Sequence, residues 1–208
     1  MKNDFLQMVQ DKMSDPSFIE GLSDQIGAAD REKTAAAAKG VASVLTGALA
    51  KNATDKKGAS ALASALDRDH DGSILNDVFG MLSGGQSGGG GMLNGAGILS
   101  HVLGSRQSGA ANMISNLSGL DQKQVSQLMM TMAPVVLGML GKAKQQNNLD
   151  ESGLTGMLAG AFAQQKAQKD NPAMDMINGF VDQDNDGDIT DDIARLGKGL
   201  LGNLFGRK

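Results

Sequence analysis

Apolar residues recur along this chain at intervals of three and four. Between Asp121 and Gln146 they fall at Val125, Leu128, Met129, Met132, Val135, Val136, Met139 and Leu140, which puts them on one side of a single helix. Asp121 followed by Gln124 reads as a capping box that satisfies free amides at the helix start. Pro134 lies inside the pattern and has no amide hydrogen to give, so a kink is expected there. An earlier helix with the same rhythm buries Val41, Val44, Leu45, Ala48 and Leu49. No segment sustains apolar–polar alternation, and β-branched and aromatic residues are too sparse for a sheet. The pattern predicts an all-α fold.

Two features organise the helices. Ser83 to Gly91 holds six glycines in nine residues, which cannot keep a helix and reads as a flexible tether. Its random-coil span is roughly 15–18 Å. On either side the chain repeats itself. Ala28–Leu49 aligns without a gap on Gly119–Leu140 at an offset of 91, matching Asp30 with Asp121 and Gly47-Ala48-Leu49 with Gly138-Met139-Leu140. Two acidic segments match at an offset of 115, and the extra stretch within 148–170 reads as one additional helix. The expected layout is a duplicated helical unit: 1–82, a linker over 83–97, and 98–208, each half ending in an Asp-rich loop between helices.

Charge sharpens this layout. The 208 residues carry 23 acids and 19 bases, a net charge of −4. Residues 67–77 and 182–192 alone hold ten acids and one base, so they sum to −9 and the rest of the chain to +5. The dispersed bases lack accompanying aromatics, which argues against nucleic acid; Lys56-Lys57 and Lys142 with Lys144 read as solvated helix ends. With no Cys, disulfides, thiolate metal sites and cysteine nucleophiles are excluded. The N-terminus shows no apolar run with a small-residue cleavage site, and the longest apolar stretch, Met132–Gly141, is about half of a bilayer span. A soluble, cytoplasmic protein is expected on that basis, with signal-less export as the other route.

The acidic segments carry the candidate chemistry. The first, from Asp67, places Asp67, Asp69, Asp71 and Asp77 at loop positions 1, 3, 5 and 11, with Ser73 at position 7. The second places Asp182, Asp184, Asp186, Asp188 and Asp192 at positions 1, 3, 5, 7 and 11, and Asp191 competes with Asp192 for the last role. Alternating carboxylates converge on one point when a backbone wraps an ion, and glycine at position 6 (Gly72, Gly187) permits the sharp turn. Oxygen-only ligands suit a hard cation, so two calcium ions are expected. Position 8 is isoleucine in both, Ile74 and Ile189, where paired loops exchange backbone bonds. The loops depart from the EF-hand at their end: position 12 holds Val78 and Ile193 instead of a bidentate glutamate, so modest affinity is expected. The simpler reading is two solvated turns built from Asp and Gly for their turn propensity. The shared phase, glycine and isoleucine favour ligation.

The repeated helical unit, the Asp-x-Asp-x-Asp-Gly loops and the tail LGKGLLGNLFGRK together resemble the bacterial YidB-like family. The resemblance spans most of 20–205 and is clearest from Leu120-Asp121 through Leu140, including Met132-Ala133-Pro134. It implies an all-helical bacterial protein of unknown function and supplies no substrate. The residues themselves offer little catalytic chemistry. His70 is an outward-pointing loop position, His101 reads as a surface or core-edge residue beside Ile98, Leu99 and Val102, and no nucleophile elbow, His-Glu-x-x-His or phosphate loop occurs. The expected function is a non-enzymatic calcium-binding helical protein that acts through protein–protein association as a homo-oligomer or self-assembling structure. Two calcium ions would bring −4 to zero and remove the self-repulsion that keeps copies apart. The alternative is a peripheral membrane-surface protein. Its helix would use Ile193, Leu196, Leu200, Leu201, Leu204 and Phe205, with Arg195, Lys198, Arg207 and Lys208 as basic neighbours.

Overall fold

In a computed structural model of the chain, the structure describes residues 4–68, 74–82, 94–167 and 179. Regular structure among the described residues is entirely helical: α1 (Asp4–Met13), α2 (Pro16–Ile26), α3 (Arg31–Asn52), α4 (Lys56–Arg68), α5 (Ile74–Leu82), α6 (Gly95–Leu103), α7 (Gln107–Ser118), α8 (Gln122–Gln146) and α9 (Glu151–Lys166), with a 3-10 turn at Gly104–Arg106.

Short side chains set most of the helix starts. Asp15 accepts from the amides of Ser17 and Phe18, with Pro16 as the first helical residue. The Lys12 ammonium, hydrogen-bonded to Asp15 at 3.0 Å, holds that carboxyl below its ordinary range. Asp30 accepts from Glu32 and Lys33. The capping box at α8 is formed in both directions: the Gln124 amide donates to Asp121 Oδ1 at 2.8 Å, and the Asp121 amide donates to Gln124 Oε1 at 3.2 Å. Gly27 and Gly119, at φ 65° and 74°, end α2 and α7 in the left-handed conformation and turn the chain into α3 and α8.

Helices α3 and α8 pack on each other at the centre. The buried positions of α3 run Thr34, Ala37, Ala38, Val41, Ala42 and then Val44 to Ala50 without a break. Adding 91 to each gives a buried position of α8, from Val125, Leu128 and Met129 through to Gly141. Both helices are therefore enclosed on all sides over their C-terminal halves, so neither shows a narrow apolar stripe there. By length and composition α8 could cross a membrane, but 72% of its apolar window is buried by the other helices.

The remaining helices wrap this pair. Helices α1, α2, α5 and α6 all pack on α8, while α2, α7 and α9 pack on α3. Lys12 caps a small aromatic corner, its ammonium 4.3 Å from the Phe79 ring centroid and 5.6 Å from that of Phe18. The two rings meet edge to face at 5.8 Å. One buried cluster includes residues from both sequence units, from Phe5 to Phe162, so the boundary drawn between 1–82 and 98–208 does not divide the core.

Helix α8 continues through Pro134, which leaves the carbonyl of Met130, four residues earlier, without its intrahelical donor. The start of α6 sits against that carbonyl so closely that a Cβ on Gly95 would collide with it. Asn94 caps the same turn by accepting from the Gly97 amide at 2.9 Å. The linker expected over 83–97 is corrected at its end: Gly95 to Gly97 are helical.

Candidate functional site

The first acidic segment, 67–77, overlaps the end of one helix and the start of the next, with 69–73 between them in sequence. Asp67 is the penultimate residue of α4, and α5 begins at Ile74. The backbone of Asp77 falls in the first turns of α5. Asp69, Asp71 and Ser73 lie outside the described residues, as do Asp182, Asp184, Asp186, Asp188, Asp191 and Asp192. Among the described residues, no three His, Asp or Glu side chains stand together as a metal site would require.

Asp67 has a specific partner. Lys144, in the last turn of α8, places its Nζ 2.5 Å from Asp67 Oδ1. The lysine side chain is only 12% exposed, so its stem runs through packed surroundings and its charge emerges beside Asp67, which is 57% exposed. Being half exposed, the pair is worth about 0–1 kcal/mol. Its weight is in position, since it fixes the end of α4 to the end of α8 next to the acidic segment. Loop position 12 also has a structural reason for lacking a carboxylate. Val78 is fully buried and packs α5 into the core, where a glutamate would be a buried charge.

A second feature, missed in the sequence reading, is a cleft of about 890 Å³ between α4 and α6. Ala61, Leu62 and Ala65 of α4 form one wall, and Ile98, His101 and Val102 of α6 form the other. Leu49 of α3 and Leu137 of α8 are the floor, and Asp55 and Arg68 sit at its edges. His101 is exposed on the wall, consistent with the core-edge placement read from its neighbours. The available signal was the run of small residues on α4 (Gly58, Ala61, Ala65), which leaves one flank of that helix without bulk.

A family model described as a bacterial protein of unknown function, DUF937, matches residues 7–143. That is 137 of the 208 residues. The chain belongs to this family. The DUF937 region contains the segment Leu120–Leu140 on which the family resemblance was clearest, together with the first acidic segment. It stops within α8, so α9 and the second acidic segment lie beyond it. No curated protein and no solved structure matches the chain. DUF937 membership therefore supports the bacterial reading and brings no ligand or reaction with it.

Proposed function

We propose that the protein is a non-enzymatic, calcium-binding helical protein that acts through association with further copies of itself. The observation that carries this reading is the pair of acidic segments of identical phase, the first of them starting at an exposed carboxylate on the end of α4. A duplicated architecture supports the pairing. The buried positions of α3 recur in α8 at 91, and the caps Asp55–Gly58 and Asp150–Gly153 recur at 95. In that alignment α9 is the counterpart of α4 and not an extra helix. The buried Ala59, Ala63 and Leu66 correspond to Leu154, Leu158 and Ala161.

Lys144 defines how such a site works. A divalent ion would share the first ligand with an ammonium 2.5 Å away, and position 12 offers no bidentate oxygen. Both features lower affinity, toward a dissociation constant of about 10⁻⁴–10⁻³ M. Lys144→Met removes the competing charge and should tighten calcium binding about fivefold. The deciding experiment is light-scattering chromatography with calcium and then with chelator. Calcium should raise mass and melting temperature, and Asp67→Asn with Asp182→Asn should behave like the chelated protein. Mass, helicity and melting temperature all indifferent to calcium would overturn the reading.

A further inference from the structure

The cleft between α4 and α6 is not required by the fold. In the other half, α1 packs directly on α9, with Phe5 completely buried in the core. The α4 wall of the cleft carries the small Gly58, Ala61 and Ala65, and its floor is the apolar Leu49 and Leu137. Meanwhile residues 193–205, outside the described part of the chain, carry Ile193, Leu196, Leu200, Leu201, Leu204 and Phe205 at helical spacing. These are large apolar side chains that a soluble surface rarely leaves bare together.

We propose that residues 193–205 fold back as a helix into the cleft between α4 and α6 of the same chain. Length fits, because α4 and the tail segment are both 13 residues, about 20 Å as helix. Reach fits too. Ala167 and Ile193 are 26 residues apart in sequence, which bounds their separation at roughly 85–90 Å, well beyond the length of α9. A tether of that length gives a millimolar effective concentration, which favours the chain's own cleft over a second copy. The concave shape and the mixed-sign edge, Asp55 with Arg68, favour a helix over an anionic bilayer. Docking also leaves the second acidic segment, 182–192, immediately ahead of the anchored helix. The inference stands independently of the calcium reading.

Because the chain has no cysteine, engineered pairs report cleanly. Ala65→Cys combined in turn with Leu196→Cys, Leu200→Cys or Leu204→Cys should give an intramolecular disulfide in at least one register, since bridging needs Cα atoms about 4.4–6.8 Å apart. Asn112→Cys on the exposed face of α7, paired with the same tail positions, should not. In the uncrosslinked full chain, Leu200→Asp with Leu204→Asp should raise fluorescence of an anilinonaphthalene sulfonate probe severalfold at unchanged helicity, and adding Leu62→Asp should abolish the rise. Disulfides that form only between two chains would overturn the proposal. So would equal crosslinking from Asn112→Cys, a probe signal unaffected by the tail substitutions, or capture of the tail by phosphatidylglycerol vesicles without any intramolecular disulfide.

Discussion

Helices α4 and α9 start alike, with an aspartate (Asp55, Asp150) whose side chain accepts from the amide of a glycine three residues on. Their buried positions keep the same phase. They then part company in bulk. α9 buries Leu154, Leu158 and Phe162, whereas α4 buries only Ala59 and Ala63 at the first two matching positions and carries exposed Asp67 at the third. With large side chains, α9 closes against α1; with small ones, α4 stands away from α6 and leaves a cleft with Asp55 and Arg68 at its edges. One frame thus supports a sealed side and an open, charged side. Side-chain size and burial differ at Ala59 against Leu154, Ala63 against Leu158 and exposed Asp67 against buried Phe162, while Leu66 against Ala161 runs the other way.

The comparison can be attacked first at the floor of the cleft. Leu49 and Leu140 are matched positions of α3 and α8, and both are almost fully buried. Leu140→Ala should cost about 3–5 kcal/mol and Leu49→Ala about 2–3, because the site beside Leu49 already borders open space and loses fewer packing contacts. Urea denaturation checks the order, and each variant should unfold in a single transition because the core is continuous. Equal losses would mean that the cleft side is packed as tightly as the sealed side. A second contrast uses glycines. Gly95→Ala forces a Cβ into the Met130 carbonyl and should lower stability by about 2 kcal/mol, whereas Gly156→Ala on α9 meets nothing within 4 Å and should raise it by about 0.5–1. Thermal melting of the two variants in opposite directions is the expected result. The smallest effect is expected at the caps. Asp121→Ala should cost about 1 kcal/mol and Asp30→Ala a few tenths less, because Gln124 completes a reciprocal box at α8 while α3 has Lys33 at that position.

Much of the fold was readable before the structure because it is local. The spacing of Val125 to Leu140 fixes one buried face, and Asp121 with Gln124 fixes where that helix begins. The offset of 91 was visible because α3 and α8 are buried over identical positions and so accept the same kinds of residue. The weaker readings fail for physical reasons. Glycine content put 95–97 in the linker, but Asn94 caps a helix there and the Pro134-freed carbonyl leaves room only for glycine. Helix α9, read as an additional helix, shares with α4 a capping aspartate and a burial phase, while size and polarity differ. The pairing of Lys144 with Asp67 joins residues 77 apart and leaves no local pattern. The cleft is an absence of bulk, and such an absence becomes visible only when both walls are in place. Of the aspartates expected to bind calcium, Asp67 and the backbone of Asp77 lie within the described residues, and the rest of that expectation rests on their spacing.

The shared burial of α3 and α8 has a consequence for the chain during synthesis. Val41, Val44, Leu45 and Leu49 are covered by partners that include α8, which is encoded 91 residues later. At about 5–20 residues per second, a ribosome needs roughly 5–18 s to deliver that partner. During that interval the nascent first half carries its longest helix with one side uncovered, so it is a natural client for a holding chaperone until the second half emerges.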